Sequence, residues 1–450
     1  MTISHPNGQP RPVTTGRYRY SRWRWRALVW LFDCLGGALL WLWRRFRRAP
    51  RVDSPARILL IQLDHLGDSV LTTPMIPALR AAFPNAFIDV LASSSNRAVF
   101  EADPNIRHVV VAERNWFDRR PGGLSMLGMV WRLGWLMRKN RYDLGIDVRG
   151  DVLSILVLAL AGIPRRVGWA MGGGGFLLTD VAPWVNGRHE VEARMALLAC
   201  LGIEPQERPR VHVHISESDR ASVARWLHGE WSATGRPRRG SPKSRDGAAA
   251  FLLADDDDGD ALHAGRFAGE TPLLAVHLGA GTSAKRWPLS HWRELVQRFL
   301  RDGWRIVVVG GPHEASVRLG LPPHPNLRDW TSQLSVTQTT ALLERADLFI
   351  GADSGPAHLA ACAAVPSVTL FSGTNRARQW RPWSRASLVL RHRVPCQPCH
   401  RKVCPLANHP CLTRLSVDRV YRAARRLWSR HDGFKPAPAL SPQGEIANHS

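Results

Sequence analysis

A chain of 450 residues with 44% hydrophobic content can bury cores for two or three domains, which excludes a wholly disordered protein. The formal net charge of +24 at pH 7 suggests nucleic acid, but no aromatic-interleaved basic sheet or recognition motif accompanies it, so we expect no nucleic-acid partner. Seven cysteines, four of them crowded between Cys396 and Cys411, do not resemble a secreted disulfide framework. We therefore expect a reducing, cytoplasmic compartment.

Residues 1–50 form a basic, Trp-rich arm, with ten arginines and one acidic residue, Asp33. Within it, the apolar run 27–43 is marginal for crossing a bilayer, which needs about 20 apolar residues. The flanking tryptophans and arginines suit the headgroup region of a membrane that contains anionic lipid. We predict a helix that lies on the membrane surface, with a true span and a buried core helix as alternatives. A signal peptide is disfavoured because no small-residue cleavage site follows the run.

The region 57–231 alternates apolar runs with helical stretches, which predicts a parallel, doubly wound sheet. Strands are expected at 58–63, 87–91, 108–111 and 144–147, and helices from the loop 64–68 to about residue 83, at 124–137 and at 152–161.

The segment 232–270 breaks this alternation and is predicted to be a low-complexity linker or insertion. Its aspartates at 255–260 formally contain D-x-D, by which many sugar transferases hold a metal, but no strand fixes them, so we expect no metal site there. The tail 433–450 is predicted to be disordered.

The region 271–432 repeats the alternation and predicts a second α/β domain, joined to the first across a cleft. Strands are expected at 273–277, 305–309, 348–350 and 367–371, with a helix ending near residue 301 and a capping box that opens another at Ser335.

A strand, a tight turn and a helix are predicted across residues 347–361. Pro356 fits the first helical position, which leaves free amides around residues 354–357 to face the turn. Such a helix start suits a diphosphate, and an ordinary strand-to-helix turn is the alternative.

Polar side chains follow the carboxyl ends of four predicted strands, where ligands bind in sheets of this kind. These residues are Asp64, Asp68, Thr282, Ser283, Lys285, Glu314, Asp353, Ser354 and His358.

Three motifs resemble the ADP-heptose:lipopolysaccharide heptosyltransferases, glycosyltransferase family 9. They are RILLIQLDHLGDSVLTTP at 57–74, GAGTSAKRWP at 279–288, and ADSGPAHLA at 352–360 with LFSGT at 370–374. Their order and spacing make the resemblance specific, and it covers roughly residues 57–429.

The resemblance implies a GT-B fold, with an acceptor-binding domain at 57–231 and a nucleotide-sugar-binding domain at 271–432. It implies inverting transfer, without a metal or other cofactor, from a nucleotide sugar such as ADP-heptose to a lipid-linked glycan acceptor at the inner face of the cytoplasmic membrane. Asp68 would be the general base. Thr282, Ser283 and Lys285 would contact the diphosphate, Glu314 the ribose, and Asp353, Ser354, Gly355 and His358 would line the donor site. The alternatives are a transferase of another nucleotide sugar for a different surface polysaccharide, and an inactive nucleotide-binding scaffold.

Several residues also have simpler structural interpretations. Asp68 has the residue type of a helix N-cap, Lys285 that of a solvated surface lysine, and His358 that of a packing residue. Where family members often show Gln before Gly, this chain has Arg149, which is predicted to meet an anionic acceptor. The cysteines Cys396, Cys399, Cys404 and Cys411 are either a structural zinc site or free thiols near a domain seam.

Overall fold

The computed structural model describes residues 23–44, 52–112, 123–204, 207–232, 271–314 and 316–431. The predicted tail at 433–450 and all of the predicted linker except Ser232 lie outside the described residues. Of the predicted N-terminal arm, residues 23–44 are described, and they form one helix.

The N-terminal half contains a six-stranded parallel sheet with the order β3-β2-β1-β4-β5-β6. Its strands are β1 (Arg57–Gln62), β2 (Phe87–Ser93), β3 (Ile106–Ala112), β4 (Leu144–Asp147), β5 (Arg165–Gly168) and β6 (Asp180–Val181). The helices described before and around it are α1 (Trp23–Arg44), α2 (Leu66–Thr72), α3 (Met75–Ala82), α4 (Gly123–Arg138), α5 (Val152–Leu160), α6 (Glu190–Leu198) and α7 (Glu217–Ser232). The strand order reverses between β1 and β4, where a doubly wound sheet forms its ligand crevice.

The C-terminal half contains a second six-stranded parallel sheet, with the equivalent order β12-β11-β10-β7-β8-β9. Its strands are β7 (Leu273–His277), β8 (Arg305–Val309), β9 (Leu327–Asp329), β10 (Leu348–Ala352), β11 (Ser367–Phe371) and β12 (Ser387–Arg391). Its described helices are α8 (Leu289–Arg301), α9 (Val336–Arg345), α10 (Gly355–Cys362), α11 (Ala377–Trp380), α12 (Pro410–Thr413) and α13 (Val417–His431). Here the order reverses between β7 and β10.

The two parallel sheets confirm the predicted α/β fold with two Rossmann-like halves. The central strands β1 and β10 are largely apolar and buried, because helices cover both faces of each sheet. One predicted helix was wrong. Instead of a single helix ending near residue 83, the chain forms α2 and α3, and the break falls at Thr73 and Pro74 because proline lacks the N–H that continues a helix.

α1 lies against the N-terminal half through one narrow face. Asp33 Oδ1 accepts a hydrogen bond from Gly174 N at 2.7 Å, and the rings of Phe32 and Phe176 meet edge to face at 5.2 Å. Gly173 and Gly174 have positive φ, a conformation that favours glycine and lets this loop approach the helix closely. None of the helices in the described ranges is long and apolar enough to cross a membrane.

The two halves touch at two places. α7 packs on α9, where Arg220 and Glu344 form an ion pair at 2.9 Å. α2 packs on α10, and nearby Gln379 Nε2 donates a hydrogen bond to Glu190 Oε1 at 2.7 Å. These contacts bring the loops after β1 and β10 face to face.

Candidate functional site

The chain from β10 to α10 forms the strand, turn and helix predicted for residues 347–361. Ser354 is the N-cap residue, and Pro356 occupies the second helical position rather than the predicted first. Pro356 has no N–H and Ala357 N donates to Ser354 O at 3.1 Å, so the amides left without a partner among the described residues at this helix start are those of Ser354 and Gly355. This helix start therefore offers amide donors and a positive dipole end to an anion.

A lysine and a carboxylate pair beside this helix start. Lys285 Nζ lies 2.8 Å from Asp353 Oδ2, and Asn375 Nδ2 donates to the same oxygen at 3.0 Å. Asp353 is buried, whereas Lys285 is partly exposed. The carboxylate thus holds the ammonium group at the edge of the cleft, and two predicted donor residues from separate motifs come into contact.

The residues before Lys285 differ in how their hydroxyl groups are used. Thr282 Oγ1 is buried and has no hydrogen-bond partner among the described residues. Ser283 Oγ donates to the backbone oxygen of Lys402 at 3.3 Å, and Ala284 N donates to the same oxygen at 3.1 Å. The Thr282 hydroxyl is therefore suited to a ligand phosphate, whereas the Ser283 hydroxyl braces the loop.

Glu314 belongs to a chain of hydrogen bonds that ends at α10. Glu314 Oε2 accepts from His277 Nε2 at 2.8 Å and from Gly311 N at 3.0 Å. Because a carboxylate only accepts, His277 carries a proton on Nε2, and its Nδ1 forms a hydrogen bond with Ser354 Oγ at 3.0 Å. Burial acts to raise the pKa of Glu314, but its bonds to His277 and Gly311 hold that pKa below the usual value. Glu314 is therefore ionised at neutral pH.

Asp68 is the third residue of α2. It is not the N-cap that the structural alternative required, because His65 occupies that position. Its side chain is 19% exposed, and Oδ1 lies 3.3 Å from Arg194 Nη2. Burial raises the pKa of Asp68, Arg194 opposes that shift, and Glu190 adds to it. A partly exposed carboxylate with a raised pKa at a cleft has the properties of a general base.

Two further carboxylates with raised pKa values, Asp64 and Asp147, lie near each other in the N-terminal half. Asp64 Oδ1 is 2.8 Å from Arg149 Nη1. Arg149, which is predicted to meet an acceptor, therefore forms an ion pair with Asp64. Burial and the Asp68 charge raise the pKa of Asp64 to about 7, although Arg149 opposes the shift. Burial also raises the pKa of Asp147 to about 8, and this carboxylate accepts from Gly150 N at 2.7 Å.

The two sets of residues meet where α2 approaches α10. A Cβ added at Gly67 would come within 2.7 Å of His358 Cδ2, and one added at Gly355 would come within 2.7 Å of Leu66 Cδ2. Burial lowers the pKa of His358 to about 4, so its ring is neutral at pH 7. His358 thus packs across the junction, and Gly355 permits the close approach of the two helix starts.

Charged side chains from both halves shift the pKa of His65, the N-cap residue of α2. Burial lowers its pKa, the charge of Asp68 opposes that shift, and Arg149, Lys285 and Lys402 lower the pKa further. Lys285, from the C-terminal half, pairs with Asp353 just before α10, and α10 packs on α2, the helix that carries Asp68. The predicted base and the predicted diphosphate-binding lysine border the same cleft.

Three polar residues of this site were missed in the sequence. His277 had a usable signal, because it is a polar residue that ends a buried strand at the carboxyl edge of the sheet. Arg194 contacts Asp68 across 126 residues, and Asn375 contacts Asp353 across 22. The positions of these two residues follow from the fold and not from a local motif.

The four C-terminal cysteines line one small cavity beside Ala284 and His409. They are Cys396, Cys399, Cys404 and Cys411, and all four are free thiols. No three sulfur atoms of these described residues lie within 4.8 Å of one another. The two alternatives from the sequence, structural zinc and free thiols, therefore both stay as predictions for this cluster.

Comparisons with known proteins point to one family. A family model described as glycosyltransferase family 9 (heptosyltransferase) matches residues 130–409. Lipopolysaccharide heptosyltransferase 2 of Escherichia coli (strain K12) is 24% identical over 350 residues, which cover 74% of this chain and 88% of the relative. Lipopolysaccharide heptosyltransferase 1 of Pseudomonas aeruginosa is 26% identical over 386 residues, which cover 81% and 96%.

Solved structures share the fold. The ADP-heptose lipopolysaccharide heptosyltransferase II of E. coli matches with a TM-score of 0.61 and 22% identity, over 84% of this chain and 99% of that chain. A glycosyl transferase family 9 protein from Veillonella parvula DSM 2008 matches with a TM-score of 0.62 and 21% identity, over 83% and 97%. The fold is GT-B, as predicted.

Proposed function

Because the chain belongs to glycosyltransferase family 9 and is a glycosyltransferase, we propose that it moves a heptose or similar sugar from a nucleotide sugar to a lipopolysaccharide-type acceptor. ADP-heptose is the expected donor. The observation that carries the proposal is the packing of α2, which holds Asp68, against α10, whose start lies beside the pair formed by Lys285 and Asp353. The names of the E. coli and P. aeruginosa relatives, both lipopolysaccharide heptosyltransferases, support the choice of sugar and acceptor.

The proposed reaction is a single displacement. Asp68 takes the proton of an acceptor hydroxyl while the hydroxyl oxygen attacks the anomeric carbon of the donor. The bond between that carbon and the diphosphate oxygen breaks, and the nucleoside diphosphate leaves with the electron pair. Attack from the face opposite the leaving group inverts the anomeric configuration. The raised pKa of Asp68 favours this role, because it makes the carboxylate a better proton acceptor.

Charge on the leaving diphosphate is stabilised from the C-terminal half in this proposal. Lys285 supplies a cation, the start of α10 supplies amide donors, and the buried Thr282 hydroxyl supplies another donor. These groups act without a metal ion or a cofactor. Glu314 Oε1, the oxygen that His277 does not occupy, is proposed to accept from the ribose hydroxyls.

The proposed acceptor is membrane-borne, and the N-terminal half has a surface that suits an anionic bilayer. α1 exposes large apolar side chains, including Leu39 and Trp41, and Asp33 faces the protein instead. α4 packs on α5. α5 also contacts the loop at Gly175–Leu177, and the same loop contacts α1. Trp131 and Trp135 of α4 are 65% and 57% exposed.

The charges around these two helices favour the same partner. Residues 1–50 carry a formal charge of +9, and α4 contains arginines but no acidic residue. Lys139 Nζ lies 4.1 Å from the Trp135 ring centroid, so a cation sits beside an exposed indole. Exposed indoles and basic side chains together are typical of surfaces that dock on anionic membranes. We propose peripheral binding at the inner face of the cytoplasmic membrane through α1 and α4.

Isothermal titration with ADP, UDP and GDP tests the donor, followed by a transfer assay in excess EDTA. Tightest binding of ADP and full transfer in EDTA are expected. Preference for UDP or GDP would favour a transferase of another nucleotide sugar. Binding of no nucleotide would favour a scaffold, and loss of transfer in EDTA by protein that stays folded would contradict the metal-independent reaction.

A further inference from the structure

A carboxylate and two histidines converge in the N-terminal half, outside the set of cleft residues described above. Asp103 lies in the turn before β3, and His212 and His214 lie in the extended segment that leads to α7. Asp103 Oδ2 is 2.9 Å from His212 Nε2, and Asp103 Oδ1 is 3.6 Å from His214 Nε2. The three ligand atoms all lie within 4.8 Å of one another.

Side chains along residues 211–214 point alternately to opposite sides, so both histidines lie on the same side. Val211 and Val213 are buried in the hydrophobic core, whereas His212 and His214 face Asp103. The hydrogen bond to Asp103 explains the position of the His212 side chain but not that of His214. The distance from Asp103 to His214 is too long for a hydrogen bond, yet its Nε2 faces the second carboxylate oxygen.

Neighbouring groups fix the orientation of these side chains. Asn105 donates to Asp103 Oδ1 from its backbone N at 2.9 Å and from its Nδ2 at 3.1 Å. His212 N donates to Thr73 Oγ1 at 3.0 Å. Supporting hydrogen bonds of this kind are what metal ligands commonly have, because they hold the ligand atoms in place before the ion binds.

We propose that Asp103, His212 and His214 bind a divalent transition-metal ion, with Zn²⁺ as the best match to two imidazole nitrogens and one carboxylate. Zinc bonds of about 2.0–2.2 Å to such ligands place the ligand atoms roughly 3–3.5 Å apart, so a small inward shift of His214 completes the set. The His214 side chain is 41% exposed, which leaves an open path for the ion and for a water ligand.

The ion would join two parts of the chain that lie far apart in sequence. It would tie the turn before β3 to the segment entering α7, and α7 packs on α9 of the other half. This proposal does not rest on the proposed transferase reaction. The ion acts as a structural brace at the domain junction and takes no part in sugar transfer.

Cobalt titration of the EDTA-stripped full chain tests the site, with absorption spectra and calorimetry as readouts. His214→Gln is the test variant, because it leaves the bond between Asp103 and His212 intact. His108→Gln, at an exposed histidine of β3 in the same half, is the matched control. Cobalt bound by the cysteine cluster would show a thiolate charge-transfer band, which cobalt at the proposed site lacks.

The parent and His108→Gln should bind one Co²⁺ without a thiolate band, and Zn²⁺ should raise their melting temperature. His214→Gln should lose at least about ten-fold in that affinity. Equal cobalt affinity in parent and variant, or a thiolate band on all bound cobalt, would overturn the proposal. Should His214→Gln fail to fold, His214→Ala replaces it, because it also removes the imidazole and leaves the bond between Asp103 and His212 intact.

Discussion

The two halves of the molecule share one strand order, yet the carboxyl ends of their strands carry different chemistry. In the N-terminal half, burial raises the pKa values of Asp64 and Asp68, and arginines pair with both carboxylates. In the C-terminal half, hydrogen bonds hold the pKa of Glu314 low, and Lys285 lies beside a helix start. Repetition of a fold therefore does not repeat the function of its strand ends.

This difference suggests a division of labour. Raised carboxylate pKa values suit proton transfer, whereas a cation and free amides suit an anion. If the halves work separately in this way, substitutions in one should change proton transfer and those in the other should change nucleotide affinity.

The largest expected effect is that of Asp68→Asn on the rate. Loss of a general base typically lowers turnover by about 10²–10⁴-fold, and Asn cannot take the proton although it still accepts from Arg194. Steady-state transfer assays and melting curves measure the two properties. Asp53→Asn, an exposed aspartate of the same half, is the control. Turnover within a few-fold of the parent would remove Asp68 from the mechanism and make Asp64 the next candidate.

Lys285→Ala should act mainly on the donor side. A charged hydrogen bond contributes about 1.5–3 kcal/mol, so ADP should bind roughly ten- to a hundred-fold more weakly. Calorimetric titration measures this, with Lys139→Ala, at an exposed lysine in the turn after α4, as the control. Because Asp353 is buried, the melting temperature of Lys285→Ala is measured too. Unchanged ADP affinity in a folded variant would exclude Lys285 from the diphosphate site.

Membrane binding should depend on the N-terminal half alone. Burial of each large apolar side chain contributes on the order of 1 kcal/mol or more, so Trp131→Gln with Trp135→Gln should weaken binding to anionic vesicles about ten-fold. Trp226→Gln, at an exposed tryptophan of α7, is the control. Vesicle sedimentation measures the bound fraction, and deletion of residues 1–50 should release the protein further. Complete sedimentation of the folded deletion variant would show that the arm is not the anchor.

The smallest predicted effect is a shift in pH dependence. Arg194 lowers the pKa of Asp68 against the effect of burial, so Arg194→Gln should raise that pKa. The ionised base would then form only at higher pH, and the acidic limb of kcat/KM should move upward. Arg194→Lys keeps the charge and should restore the limb toward its parental position. An unmoved limb in a folded, active Arg194→Gln would show that the Asp68 titration does not limit the reaction.

The sequence predicts the parts of this molecule that are local. β4, β7, β8 and β11 end where the apolar runs end, and the capping box at Ser335 forms as expected. Four strands are missed: β5, β6, β9 and β12. β5, β6 and β9 have only two to four residues and contain charged side chains, so they have no clear period.

The same distinction between local and long-range contacts applies to the candidate site. Lys285 and Asp353 are predictable because both follow strands whose ends converge. The contact between Asp68 and Arg194 is not predictable, because it depends on where α6 packs relative to α2.

Measuring ADP affinity in Asp68→Asn and Lys285→Ala side by side tests the central claim most directly. If the halves divide the work, Asp68→Asn binds ADP within about two-fold of the parent while being nearly inactive, and Lys285→Ala binds ADP at least about ten-fold more weakly. Loss of ADP affinity in Asp68→Asn equal to that in Lys285→Ala would contradict the claim, because the base would then belong to the nucleotide site.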